Sequence, residues 1–235
     1  MSDTLVTKKG RNQKHDIIEE IHSYNVFLDT REIFVYGEEG EENEDSGVEF
    51  RMSNTLLKNV RLLEAAGSGP IVIHQHSIGG EWADGMLMYD VIASCSCHII
   101  FIMHGTACSM GSIVPQAADT RIIMPHCTFM VHSGYTDINS GLTYKQSRSW
   151  ADMEAYTQEV MLDIYSNVCV NGHLFQKEQA DLKKVRKTLE EKMGNKEDWW
   201  LFARDTVAYG FADAVLGDDG YENIESIKES VINDD

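Results

Sequence analysis

The sequence lacks any apolar run long enough to cross a membrane. Its longest strongly apolar stretch, residues 99–103 (IIFIM), falls far short of the ~20 residues that a membrane-spanning helix needs. Residues 1–10 contain Lys8 and Lys9 but no apolar segment after them, so the pattern of a secretory signal is missing. We therefore expect a protein without a membrane anchor that works in the cytoplasm.

Basic residues and prolines are also few. The chain has 20 Lys and Arg against 38 Asp and Glu, a formal net charge of −18. Proteins that bind nucleic acid through its phosphates need clustered positive charge, so nucleic acid is not an expected partner. Only 3 prolines occur in 235 residues, no Pro/Ser-rich linker divides the chain, and 43% of the residues are hydrophobic. This composition predicts a folded protein with one structural domain.

Cysteine occurs in an odd number, which argues against a disulfide framework. The 5 cysteines stand in a chain with no export signal, and most of them lie in apolar segments. We expect reduced and mostly buried thiols. The cluster Cys95-x-Cys97-His98 lacks two further ligands at a spacing that would suit zinc. Neither a metal site nor an organic cofactor is predicted.

Apolar runs alternate with amphipathic segments through the middle of the chain, which predicts alternating strands and helices. The apolar runs are continuous, as is typical of parallel strands covered by helices on both faces, so the predicted class is α/β. Residues 143–192 are expected to be mostly helical, and residues 198–216 to form a further helix and strand. The predicted strands are residues 31–36, 71–74, 99–103, 121–124 and 128–131, and the predicted helices are residues 53–66, 83–94 and the segment after the 105–111 turn to about residue 118.

Three features fall at the carboxyl ends of the expected strands, where the active sites of α/β proteins lie. Ser109 follows an apolar strand in a turn of small residues and begins a helix, which is the geometry of a nucleophile elbow. His132 ends a neighbouring strand and could act as a general base. The pair Gly79-Gly80 would let backbone amides approach a ligand, as an oxyanion hole requires. Each feature alone has a structural alternative: a helix cap, a structural histidine and an ordinary turn.

Taken together, four motifs resemble the proteolytic subunit of the Clp protease family over residues 71–216. SIGGEWADGMLMYDVI (77–92) is similar to that family's S-P-G-G turn and the G-x-x-x-Y-D helix after it, and GTACSMG (105–111) to its G-x-A-A-S-M-G. MPHCTFMVHSG (124–134) is similar to L-P-N-S-R-V-M-I-H-Q, and DWWLFARDTVAYGFADAV (198–215) to D-x-F-x-S-A-x-E-A-x-x-Y-G-L-x-D. The resemblance implies the Clp/crotonase-like superfold, in which repeated β-β-α units form a mostly parallel sheet covered by helices, with a protruding handle helix.

The resemblance also implies a role for each residue of the site. Ser109 would be the nucleophile, His132 its general base and Asp198 the carboxylate that orients the imidazole. The backbone amides of Gly80 and Met110 would form the oxyanion hole.

The third member of this triad depends on the alignment of one residue. Asp198 stands beside Glu197 in NKEDWW, where this chain has Trp199, Trp200 and Phe202 in place of one aromatic residue and a serine. A slip of one residue would make Glu197 the third member.

The resemblance divides the chain into parts. Residues 71–216 correspond to the protease core. The family's N-terminal segment, which forms the axial pore and helps to engage the unfoldase, is not recognisable in the divergent residues 1–70, which contain an acidic loop at 37–49 instead. Residues 217–235 form an acidic tail that we expect to be loose, and one structural domain is expected overall.

The implied function is that of a serine endopeptidase that cleaves unfolded or delivered proteins inside an oligomeric chamber. The implied assembly is a homo-oligomer of stacked heptameric rings, joined through the helix that contains Trp150, and an ATP-dependent unfoldase is an implied partner. Two alternatives stay open: a virus-encoded protease that matures capsids with the same triad, and an inactive or crotonase-like member of the superfold. The joint presence of Ser109, His132 and Asp198 counts against the second.

Overall fold

An eight-stranded sheet forms the framework of the computed structural model, which describes residues 13–35, 47–134 and 141–234. Its strands are β1 (Val26–Phe27), β2 (Glu32–Val35), β3 (Ile71–Ser77), β4 (Ile99–Cys108), β5 (Thr120–Ile123), β6 (Thr128–Val131), β7 (Trp199–Phe202) and β8 (Ala214–Val215). The order is β1-β2-β3-β4-β5-β8, and β6 pairs with both β4 and β7. Neighbouring strands are parallel except in the pairs β1/β2 and β6/β7.

Strand β4 is long enough to hold two partners on one edge. Its first half pairs with β5 through residues 100–103, and its last three residues, 106–108, pair with β6. The neighbour of β4 on this edge therefore changes from β5 to β6, and β6 and β7 extend the sheet beyond the end of β5. This extension carries the segments that form the site.

Helices connect the strands and cover the sheet. They are α1 (Gln13–Tyr24), α2 (Phe50–Ala66), α3 (Trp82–Ala93), α4 (Met110–Ile113), α5 (Tyr144–Cys169), α6 (His173–Lys177), α7 (Leu182–Lys196), α8 (Ala203–Tyr209) and α9 (Ile224–Asp234), with a 3₁₀ turn at Val114–Ala117 after α4. Residues on α2 and α3 pack against one face of the sheet, and α9 packs against the other.

The residues of β4 show why a continuous apolar run makes a buried strand. Ile99, Phe101 and Met103 point into the larger core, whereas Ile100 and Ile102 point into a smaller cluster that contains residues of β3 and α9. All five side chains are fully buried. Both faces of a parallel strand are covered, so every position is apolar. The predicted α/β fold with a mostly parallel sheet is confirmed.

The first half of helix α5 extends away from the rest of the chain, as the exposure of its residues shows. The helix has 26 residues, which corresponds to a length of about 39 Å, and a capping box between Thr143 and Gln146 begins it. Residues 144–156 are all exposed, and burial starts only at Met161. The predicted handle helix is therefore present.

Within the described ranges, no helix combines the length and apolar character needed to cross a membrane.

The C-terminal segment differs from the expectation of a loose tail. Residues 224–234 form α9, in which Ile227 is buried against the sheet beside Ile224 and Val231. These apolar residues recur at a spacing of three and four, so they share one helix face, while Glu225 and Glu229 are exposed on the other. The high acidic content hid this amphipathic pattern.

Two further expectations are revised by the structure. Residues 199–202, expected as part of a helix, form β7, and the strand expected at 99–103 continues to Cys108 through most of the predicted turn. Most of the predicted acidic loop lies outside the described residues. Its last part is described, and Val48 there is buried and forms a parallel bridge with Gly80.

A partly buried ion-pair network fastens α9 to the sheet. Lys228 Nζ donates to Thr30 O at 2.9 Å and lies 3.0 Å from Glu32 Oε1. His74 Nε2 lies 3.3 Å from Glu32 Oε2, and its Nδ1 lies 3.0 Å from Nε2 of His104. The hydrogen bond from His74, with the charge and hydrogen bond of Lys228, lowers the pKa of Glu32 to about 2, so this carboxylate stabilises the fold in its charged form.

We predict that Glu32→Gln destabilises the protein by about 1–2 kcal/mol at neutral pH, allowing for solvent screening of a partly exposed carboxylate. The pKa of Glu32 is lower in the folded state than its ordinary value of 4.5. Its contribution is therefore complete above about pH 4.5 and is lost as the pH falls toward 2. Urea unfolding across this pH range should show that the difference in unfolding free energy between the wild type and Glu32→Gln falls to zero as the pH approaches 2. Glu225→Gln, which removes an exposed partner 3.5 Å from the same Lys228, is the control and should change little; a difference undiminished near pH 2 would contradict the prediction.

Candidate active site

Ser109 occupies the sharp turn between β4 and α4. Its φ of 52° and ψ of −125° lie in a region that side-chain-bearing residues rarely adopt. Its N–H donates to Met130 O at 3.0 Å, which ties the turn to β6. The side chain is half-buried at the amino end of the helix. This is the strand-turn-helix geometry that presents a nucleophile.

His132 follows β6 directly and lies beside Ser109. Cys108 at the end of β4 pairs with Met130 of β6, and the two strands are parallel, so the residues after them emerge at the same edge of the sheet. His132 Nε2 lies 2.7 Å from Ser109 Oγ. That distance is within the range over which a base takes a hydroxyl proton.

Asp198 reaches His132 because of the register of β7 on β6. Val131 pairs with Trp199 in this antiparallel ladder, so the residues one step further along, His132 and Asp198, also lie opposite each other. Asp198 Oδ1 is 3.3 Å from His132 Nδ1, and 55% of the aspartate side chain is exposed. In the described part of the chain, the ion pair with His132 comes from Asp198 and none comes from Glu197, which is exposed at the end of α7.

The glycine pair after β3 lies against the Ser109 turn. A Cβ on Gly79, whose φ is +103°, would lie 2.5 Å from Ser109 Cβ and 3.1 Å from the Met110 nitrogen, so only glycine fits this position. On the other side, Gly80 forms a parallel β-bridge with Val48. In this bridge the Val48 N–H donates to Gly79 O, and the Glu81 N–H donates to Val48 O. In a parallel bridge of this kind the N–H of the central residue points away from the partner, so the Gly80 amide faces away from Val48.

Met110 is the first residue of α4, and its N–H has no partner within the helix. The Met110 nitrogen lies beside Gly79, which is itself in contact with Ser109. The amides that sequence analysis selected for the oxyanion hole are therefore next to the Ser109 turn.

Comparison with known proteins identifies the family. The Clp protease family model matches residues 13–219, which is most of the chain. This chain belongs to the Clp protease family. The match extends the sequence resemblance from residues 71–216 toward both ends, and includes α1 and the first two strands.

Individual relatives agree with this assignment. The chain is 25% identical over 213 residues to the ATP-dependent Clp protease proteolytic subunit 2 of Treponema denticola, covering 89% of this chain and 91% of the relative. It is 27% identical over 170 residues to subunit 3 of Synechococcus sp. (strain CC9902), covering 70% and 76%. A ClpP1 mutant from Listeria monocytogenes has the same fold, with a TM-score of 0.64 at 19% identity, covering 85% of this chain and 96% of that one.

Membership of the Clp protease family makes this chain a member of a family of peptide-bond hydrolases.

The nearest thiol to the site is Cys108, which is buried next to Ser109. Burial, followed by the negative charge of Asp198, raises the pKa of Cys108 to about 11. The thiol stays protonated at neutral pH and is a poor nucleophile. Four of the five cysteines are buried and all five are free, as predicted.

Sequence reasoning missed several residues that support the site. Val48 holds the glycine pair, and Gln158 on α5 donates to Ser133 O, next to His132. Ser112 is buried and bonded to Ser109 O and to Tyr165. These contacts join distant segments, so no local pattern marks them. Only Ser112, three residues after Ser109 in the same turn, stands near a motif.

Proposed function

We propose that this protein is a Clp-type serine endopeptidase that uses Ser109, His132 and Asp198. The observation that carries the proposal is the 2.7 Å contact between Ser109 Oγ and His132 Nε2, continued by Asp198 at 3.3 Å on the other side of the imidazole. A neutral serine hydroxyl is a weak nucleophile, and an adjacent base in line with an orienting carboxylate overcomes this weakness.

The reaction follows from these positions. His132 takes the proton from Ser109 Oγ as the oxygen attacks the peptide carbonyl, and Asp198 holds the imidazole tautomer and stabilises the imidazolium. The amides of Gly80 and Met110 donate to the developing oxyanion. His132 then gives its proton to the leaving amine, which leaves an acyl-enzyme on Ser109. A water molecule, deprotonated by His132, hydrolyses that ester and restores the free serine. This sequence needs neither a metal nor an organic cofactor.

Ser109→Ala should reduce peptide hydrolysis to a trace and leave the fold intact, since loss of a partly exposed hydroxyl costs little stability. A fluorophosphonate probe, with the modified residue mapped by mass spectrometry, should label Ser109 in the wild type and nothing in the variant. Ser94→Ala, at an exposed position after α3, is the control. Hydrolysis retained by Ser109→Ala would contradict the assignment. A folded wild type that neither hydrolyses peptides nor reacts would favour an inactive member of the superfold.

Asp198→Asn should lower kcat by up to ~10⁴-fold with little effect on KM, because the amide stabilises the wrong imidazole tautomer. Glu197→Gln is the matched control, one residue away and also exposed, and should have kcat near that of the wild type. Steady-state hydrolysis of a fluorogenic peptide measures both. The opposite result, loss of activity only in Glu197→Gln, would make Glu197 the third member of the triad.

We also propose that the protein assembles into rings. The exposed half of α5 carries Trp150, Met153 and Tyr156, which are 48%, 47% and 63% exposed in the single chain. Apolar groups concentrated on a projecting helix are typical of an interface between subunits. Two stacked heptameric rings in the cytoplasm, supplied with protein substrates by an ATP-dependent unfoldase, are the arrangement that the family resemblance implies.

Assembly should strengthen with added salt. Each subunit carries a net charge of −18, so a ring concentrates like charge, and screening reduces the repulsion. Sedimentation velocity at low and at moderate ionic strength should show a larger fraction of rings at moderate ionic strength, and Tyr156→Glu should shift the protein toward monomer. A monomer under every condition would contradict the assembly, and rings that tighten as salt is removed would contradict the role of charge.

A further inference from the structure

A buried pair of hydroxyl groups connects α5 to the backbone of Ser109. Ser112 Oγ lies 2.6 Å from Ser109 O and 2.7 Å from the hydroxyl oxygen of Tyr165. Both side chains are fully buried, with exposures of 0% for Ser112 and 1% for Tyr165. Tyr165 comes from the buried half of the helix whose other half projects from the subunit.

The direction of these hydrogen bonds follows from the number of protons. A carbonyl oxygen can only accept, so the single hydroxyl proton of Ser112 is donated to Ser109 O. The proton between Ser112 and Tyr165 then has to come from the tyrosine. Burial raises the pKa of the Tyr165 hydroxyl, so it keeps this proton at any working pH. The chain therefore runs from Tyr165 through Ser112 to the carbonyl of Ser109.

The carbonyl of Ser109 belongs to the same peptide unit as the N–H of Met110. A trans peptide is planar, and its C=O and N–H point in opposite directions. Ser109 O accepts two hydrogen bonds, from Ser112 N–H at 2.8 Å and from Ser112 Oγ at 2.6 Å. Because these bonds fix one side of the plane, they also fix the direction in which the Met110 N–H points.

We propose that Tyr165 and Ser112 are positioning residues that aim the Met110 amide at the oxyanion. This inference rests on the proposed function, in which Met110 is one of the two oxyanion donors. Neither side chain reaches the substrate, since both are buried behind the Ser109 turn. Their effect falls on the transition state, where the oxyanion exists, and not on substrate binding.

The direct test compares Tyr165→Phe and Ser112→Ala with wild type. Tyr165→Phe keeps the ring, which packs edge-on against Phe211 with 5.3 Å between the ring centroids, and removes only the hydroxyl group that donates to Ser112. Loss of an oxyanion donor costs ~10²–10³-fold in kcat, and misalignment of one should cost less, about tenfold, with KM unchanged. A peptide aldehyde, which forms a tetrahedral adduct with Ser109, should bind weaker by the same factor. The pH at which activity is half-maximal should stay the same because His132 and Asp198 are untouched.

Two comparisons separate positioning from a general structural effect. Ser166→Ala is the matched control: it is a buried serine next to Tyr165 on α5 whose hydroxyl donates to Leu162 O, within the helix and not to the Ser109 turn. It should lower stability without changing kcat or aldehyde binding. The double variant of Tyr165 and Ser112 should lose no more activity than Ser112→Ala alone, because the two hydroxyls act in series.

Several results would overturn the inference. These are a wild-type kcat in Tyr165→Phe, a lower kcat with unchanged aldehyde binding, or an equal loss in Ser166→Ala. If Ser112→Ala fails to fold, Tyr165→Phe decides the matter alone, with its folding checked by chemical unfolding. Failure of the proposed function has a different signature, which is activity that survives Ser109→Ala.

Discussion

The pairing of β6 with the last three residues of β4 is the constraint on which the site depends. It places the ends of two parallel strands side by side, so the residues that follow them, Ser109 and His132, emerge together. The bond from Ser109 N–H to Met130 O continues the same ladder into the turn. The antiparallel register of β7 on β6 then brings Asp198 opposite His132. Two ladders of backbone hydrogen bonds that share β6 therefore align all three side chains.

The Ser109 turn is strained, and its surroundings hold it. A non-glycine residue in such a conformation costs about 1–3 kcal/mol and persists only where neighbouring structure determines it. Met130 accepts the Ser109 N–H, Ser112 donates twice to the Ser109 carbonyl, and Gly79 packs directly against the side chain. Val48 holds the glycine pair from the opposite side. The strained backbone at Ser109 is thus supported by Ser112 in its own turn and by residues of three other segments.

Helix α5 serves two parts of the molecule at once. Its first half is exposed and carries the aromatic and Met side chains that we assign to assembly, while its second half is buried beside the Ser109 turn. Gln158 contacts the residue after His132, and Tyr165 contacts Ser112. The same helix thus carries the exposed apolar side chains and, through Gln158 and Tyr165, two hydrogen bonds to the segments that form the site. The C-terminal helix α9, by contrast, covers the other face of the sheet, where Lys228 and Glu32 fasten it.

Local patterns in the sequence were enough to predict the α/β class and the central strands, and the resemblance of four motifs to the Clp protease family implied the family and the handle helix. A continuous apolar run indicates a strand that is buried on both faces, and a turn of small residues indicates a place where the backbone packs closely against a neighbouring segment. Both patterns can be recognised within a few residues. The amphipathic face of α9 was also encoded locally, but a high acidic content masked it.

The tertiary structure alone decided which carboxylate faces His132, what holds the glycine pair and what fixes the Ser109 carbonyl. Asp198 and Glu197 are adjacent and chemically alike, and only the register of β7 distinguishes them. Ser112 and Tyr165 are 53 positions apart, and their hydroxyls meet because α5 packs behind the turn. Hydrogen bonds between distant segments depend on strand register and helix packing, and these are set by the packing of the whole core. The residues that make such bonds therefore show no periodic pattern in the sequence.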